Sequence, residues 1–136
     1  MKTVLTCLSL LSITLLTSCG ILPEPSQPHP VVIVHGIFDS GERLGSFKRN
    51  LQKQGYRCIT PSLKPNTGVD GLEPLTEQLS QHLDNELKKD EKYHLVGFSM
   101  GGLIARDYLT KSKKHCHCLS LTTLATPHHG TNLAHL

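Results

Sequence analysis

Ser99 lies in Gly97-Phe98-Ser99-Met100-Gly101-Gly102, a G-x-S-x-G pattern with an apolar run before it and an amphipathic stretch after it. The spacing has a steric logic. A hydroxyl held at the tip of a strand-to-helix turn needs neighbours without side chains two residues away, so that strand and helix can close on each other. Gly97 and Gly101 meet that need and form the structural elbow. The hydroxyl then stands at a helix N-terminus, where backbone N–H groups favour a developing negative charge. The chemistry this arrangement suits is acyl transfer, with Ser99 as nucleophile. A tetrahedral oxyanion is held by two amides. His35-Gly36-Ile37-Phe38 follows another apolar run directly, so the N–H groups of Ile37 and Met100 are the oxyanion-hole candidates. Gly36 lets the backbone approach a substrate, His35 braces the loop by hydrogen bonding, and Phe38 completes this binding segment.

The elements that must position these groups read as an α/β chain: short β-branched runs alternate with helical periodicity, the pattern of a mostly parallel sheet of about four strands with helices on both faces. Val31-Val32-Ile33-Val34 is uninterrupted and predicts a central strand buried on both sides. A helix is expected near residues 42–54, with Leu44, Phe47 and Leu51 on one face and Gly55 as its left-handed cap. Tyr56 to Thr60 predicts a second strand, ended by Pro61. Asp70 three residues before Glu73 predicts the capped start of a second helix, along which Leu72, Leu75, Leu79, Leu83 and Leu87 make an apolar stripe. His94 to Val96 predicts a strand, Met100 to Thr110 a helix, and Cys118 to Ala125 a fourth strand.

The segments VVIVHGIF at 31–38, HLVGFSMGGLIARDYL at 94–109 and TLATPHHGTNLAHL at 123–136 together resemble the α/β-hydrolases, and among them the bacterial secreted triacylglycerol lipases. Their order and spacing make the resemblance specific over residues 31–136. It implies a carboxylic-ester hydrolase acting on a lipid or acyl ester, with Ser99 as nucleophile and Thr126-Pro127-His128-His129-Gly130-Thr131 as a loop near the acyl site. His35 to Ser40 also resembles palmitoyl-protein thioesterases. Thioesterase ranks second because the Thr-Pro-His-His-Gly-Thr stretch is more lipase-like.

An activated serine needs a histidine base oriented by a carboxylate. In this fold both follow the serine along the chain. The only carboxylate after Ser99 is Asp107, which a helix carries about 12 Å away at ~1.5 Å per residue. It cannot serve as the triad acid. Of the late histidines, His128, His129 and His135, the resemblance places the first two on a structural loop. The expectation is therefore the N-terminal part of a longer enzyme, with weak or no activity alone. A reading of a different class is a catalytically dead remnant that serves as a binding or structural module.

The 136 residues are 38% apolar and 18% charged, ordinary for one globular domain. Lys2 precedes an uncharged run from Val4 to Leu16, the form of a secretory leader. As a helix those residues span about 20 Å, short of a ~30 Å hydrocarbon core. Leu16-Thr17-Ser18-Cys19-Gly20 resembles the bacterial lipobox, which implies a leader over 1–18, lipidation of Cys19 and membrane anchoring. Gly20 in the acceptor position leans towards the outer membrane. Four of the eight prolines fall between Pro23 and Pro30, so residues 19–30 read as an extended tether and 31–136 as the hydrolase domain. Without Lys2, thirteen Lys/Arg against eleven Asp/Glu leave +2, too weak for a nucleic-acid partner. Lys111, Lys113 and Lys114 read as the solvated end of a helix.

Nothing in the residues calls for a cofactor. His115-Cys116-His117-Cys118 has metal-ligand chemistry, but an extended segment would send His and Cys to opposite faces and no C-x₂-C spacing is present. No metal site is expected. Cys58 and Cys118 fall on strands separated by two others in the family's strand order, about 14 Å, beyond the ~7 Å limit for a bridge.

Overall fold

The computed structural model describes residues 28–40 and 42–130. The expected leader, Cys19 and most of the expected tether, with Thr131 and His135, lie outside the described residues. The element order is β1 (Val31–Val34), α1 (Gly45–Lys53), β2 (Cys58–Ile59), α2 (Glu73–Glu86), β3 (Tyr93–Phe98), α3 (Met100–Lys111), a 3₁₀ turn (Lys113–His117) and β4 (Cys118–Leu124). The four strands form one parallel sheet in the order β2-β1-β3-β4. No helix among the described residues is long and apolar enough to cross a membrane.

Helices cover both faces. On one, Val32, Val34, Tyr93 and Leu95 pack with Leu75, Leu79 and Leu83 of α2 and Ile104 and Tyr108 of α3. On the other, Val31, Ile33 and Val96 meet Leu44, Phe47 and Leu51. All four β1 residues are buried, as an uninterrupted β-branched run between two helical layers requires. The leucine stripe turns its middle inward, with Leu75, Leu79 and Leu83 at 0–1% exposure.

Element boundaries correct the sequence reading in four places. α1 starts at Gly45, since residues 42–45 form a turn closed by the Gly45 N–H on the Glu42 carbonyl. β2 keeps only Cys58 and Ile59. Tyr56 is lost to it because its N–H caps α1 on Leu51 O, while Gly55, at φ +88°, donates to Gln52 O. Asp70 does not cap α2. Gly71 takes φ +79° and bonds back to Gly68 O, so the helix begins at Glu73 with Pro74 in its first turn, where a missing N–H costs nothing. Finally, His115, Cys116 and His117 lie in the 3₁₀ turn and not on an extended strand. No cluster of three metal-ligating side chains occurs among the described residues.

Candidate active site

Ser99 sits between the last residue of β3 and the first of α3, with φ +52° and ψ −124°. A left-handed serine is strained and persists only where its surroundings over-determine it. Here three glycines do so. A Cβ on Gly97 would fall 2.4 Å from Gly102 Cα, and one on Gly101 would fall 2.3 Å from Val34 O and 2.5 Å from His35 O. The first turn of α3 therefore lies directly on the end of β1. The Ser99 N–H donates to Leu124 O of β4 at 2.8 Å, and its carbonyl accepts from Gly102 N–H at 3.0 Å. Three neighbouring elements thus hold one residue.

The segment after β1 closes on the same point, for a Cβ on Gly36 would stand 3.0 Å from Ser99 Cβ. Ile37 and Phe38 are exposed beside it, at 43% and 68%. Phe38, at φ +54°, gives its N–H to Asn66 O, while Asn66 Nδ2 donates to Asp39 O. The loop between β2 and α2 therefore straps this segment down, and its Gly68 lies over Met100. Met100 is the first residue of α3, so its amide has no acceptor within the helix.

His35 is 1% exposed. Its Nε2 accepts the Leu63 N–H at 3.0 Å, which leaves the proton on Nδ1 to reach Gly36 O at 2.9 Å. Both ring nitrogens are spent, so His35 is a brace and not a ligand-binding group. His128 is equally committed. An Arg106 guanidinium can only donate, so Nδ1 accepts at 2.8 Å and Nε2–H reaches Thr123 Oγ1 at 3.0 Å. Asp107 faces away from Ser99, towards α2. Partial burial works against its charge, but hydrogen bonds from Lys111 and Thr76 and the Lys111 charge hold its pKa below the usual carboxylate range. Among the described residues, no histidine or carboxylate hydrogen-bonds the Ser99 hydroxyl. Two open cavities among the described residues, of about 130 and 280 Å³, are lined by residues other than Ser99.

Three contributors escape local sequence reasoning. Asn66 straps the loop, Leu63 fixes His35, and Thr126 presses on Gly102, where a Cβ would meet its Oγ1 at 2.0 Å. Gly102, the second glycine of Gly101-Gly102, is the sequence signal for that contact.

The profile of the family described as palmitoyl protein thioesterase matches residues 30–135. The chain is 29% identical to rat lysosomal thioesterase PPT2 over 119 residues, 81% of this chain and 39% of that protein. It is 36% identical to triacylglycerol lipase 2 of Saccharomyces cerevisiae over 94 residues, 64% of this chain and 28% of that protein. The crystal structure of Bacillus licheniformis lipase BlEst2 in mature form superposes with a TM-score of 0.64 at 28% identity, covering 85% of this chain and 47% of that one. The chain spans about two fifths of the length of the thioesterases it matches. With an α/β-hydrolase sheet and a glycine-set serine turn at the end of its third strand, the chain belongs to the palmitoyl protein thioesterase family.

Proposed function

We propose that the chain carries the nucleophile of a serine hydrolase for lipid or acyl esters, with Ser99 attacking the carbonyl and the Ile37 and Met100 amides receiving the oxyanion. The observation that carries this reading is the left-handed Ser99 wedged between Gly97, Gly101 and Gly36. Acyl transfer gives such strain a purpose, since it needs the hydroxyl at the tip of the turn beside free amides. Gly36 and Phe38 border the acyl group, while His35 keeps the loop in place. A thioester substrate is the second reading, favoured by the family match and by the lysosomal thioesterases among the relatives.

A fluorophosphonate probe tests the nucleophile. The 136-residue chain is expected to label slowly, because no base among the described residues touches the hydroxyl, and only at Ser99. Labelling that survives Ser99→Ala would sink the assignment. Parallel assays with an acyl ester and an acyl thioester of the same chain length separate the two substrate readings.

The chain is also proposed to be an exported lipoprotein of the cell envelope, outer-membrane leaning and anchored through Cys19. Support comes from the uncharged run before Leu16-Thr17-Ser18-Cys19 and the proline-rich tether after it. Labelled palmitate should enter the wild-type chain in bacterial cells and be absent from Cys19→Ser.

A further inference from the structure

Two features outside the candidate active site sort to one end of the molecule. All strands of a parallel sheet enter at the same end, and Ser99 marks the opposite one: β3 runs about 17 Å from Tyr93 to Phe98 at ~3.3 Å per residue. The tether arrives at the entry end and is fixed there. The His94 N–H donates to Pro30 O at 2.8 Å, the Val31 N–H to Arg57 O at 2.8 Å, and the His29 and His94 rings lie 6.2 Å apart. Residues 20–27 then reach at most about 25 Å at ~3.1 Å per residue, a length that keeps the entry end close to whatever holds Cys19.

Charge sorts the same way. Residues 53–57, 84–92 and 113–117, which return the chain from helix to strand, hold seven Lys/Arg and four Asp/Glu. The rest of residues 19–136 hold six and seven. The whole excess of positive charge therefore sits at the tether end, and Lys53, Lys88, Lys89, Lys92 and Lys113 are all exposed there. Helix dipoles favour lysine at such positions, but they do not place a lipid tether among them. Arg57 is partly committed, to Glu91 at 2.7 Å, and the lysines are the groups left to meet a surface.

We propose that this strand-entry end is a docking surface for an anionic phospholipid bilayer, and that Ser99 consequently faces away from the membrane that anchors the chain. The proposal rests on the lipoprotein reading above. Basic residues beside a lipid anchor add a second attraction that acts within a Debye length of the headgroups, and a short tether holds them at an effective concentration of roughly millimolar. The acyl groups reaching Ser99 then come from the aqueous side or from a facing surface.

The test uses the full chain with Cys19→Ser, so that no attached lipid contributes, and phosphatidylcholine vesicles with or without phosphatidylglycerol. Sedimentation is expected with the phosphatidylglycerol vesicles alone and is expected to fall at high salt. Lys88→Glu/Lys89→Glu/Lys92→Glu should lower partitioning by roughly tenfold or more. Arg43→Glu/Lys64→Glu, at the Ser99 end, should leave it near the parent value. Equal losses in both variants would reduce the effect to net charge and overturn the proposal. So would failure to bind anionic vesicles, or binding to a soluble polyanion in their place. Palmitate incorporation at Cys19 reports the anchor separately, so a labelled chain with no vesicle binding rejects the docking surface and keeps the lipoprotein. Neither readout depends on hydrolysis.

Discussion

β1 and β4 are both uncharged strands of one parallel sheet, VVIV and CLSLTTL, yet none of the four β1 residues exceeds 4% exposure and none of the seven β4 residues is fully buried. β1 lies between two strands and two helical layers. β4 pairs with β3 on one side only among the described residues, and it is irregular there: Tyr93 pairs with Cys118 and His94 with Ser120, so Leu119 bulges out at 44% exposure. The Ser99 turn sits where these two regimes join. Its position is set by rigid backbone contacts on the β1 side and by one hydrogen bond plus one side chain on the β4 side. The contrast shows how a strained serine can be held when only one flank of the sheet is tightly packed.

The largest break in that contrast should come from Gly101→Ala. Its methyl would run into the Val34 and His35 carbonyls at 2.3 and 2.5 Å. Neither carbonyl can retreat, because β1 is packed on every side. The expected loss is about 3 kcal/mol or more, at the top of the overpacking range, read by urea denaturation with Ser99 labelling lost in parallel. A loss under about 1 kcal/mol would mean that α3 slides freely over β1, and the argument from tight contact would fail.

A matched pair sharpens the comparison directly. Ile33→Ala removes a side chain that is 1% exposed between β1 and α1 and should cost about 3 kcal/mol. Leu119→Ala, on the bulge, should stay within about 0.5 kcal/mol. Equal costs in the two variants would show that β4 is covered in solution.

This division also explains what could be read from residues alone. β1, β3, α3, the inward leucines and the Gly55 cap follow from patterns within a few positions, and so does the strand-turn-helix setting of Ser99. The α/β class and the parallel sheet follow in turn from how those elements alternate. The misread features depend on distant partners or on a conformation that composition does not reveal. Gly71 going left-handed moves the start of α2, Tyr56 is taken by a cap, and residues 113–117 coil before β4. Within the site, His35 reads as a brace and His128 as part of a structural loop from the sequence, but the hydrogen-bond partners of their ring nitrogens do not. Which nitrogen each ring presents is decided by Leu63 and by Arg106, 28 and 22 positions away along the chain.

Acidification gives a smaller effect, confined to the packed side. The Asp107 carboxylate accepts from Thr76 Oγ1 at 2.8 Å and meets Lys111 Nζ at 2.9 Å, joining α3 to α2. Its pKa is lower in the folded chain than in the unfolded one, so its contribution is present above the ordinary carboxylate pKa and is lost as pH falls through the folded value. Glu91, beside Arg57 and Lys88, has the same sign. Melting temperature should therefore drop on the acid side of the ordinary carboxylate range. Asp107→Asn should remove part of that slope and cost about 1 kcal/mol near neutrality, since the side chain is partly solvent-screened. A variant that keeps the full acid slope would place the titrating group elsewhere.

The smallest effect tests the β4 flank at its contact with the Ser99 turn. Thr126 Oγ1 is buried and has no hydrogen-bond partner among the described residues, and it faces Gly102 at a distance that leaves no space for a methyl on that glycine. A buried hydroxyl without a partner costs folding free energy, whereas its shape still fills the gap beside α3. Thr126→Val keeps that shape and removes the unsatisfied group. Stability should hold or rise by up to about 1 kcal/mol, and Ser99 labelling should not change. A fall in stability would mean that the hydroxyl is bonded in solution. The loop after β4 would then hold the turn by a polar contact as well as by packing, and the two flanks of Ser99 would be less unequal than their burial makes them.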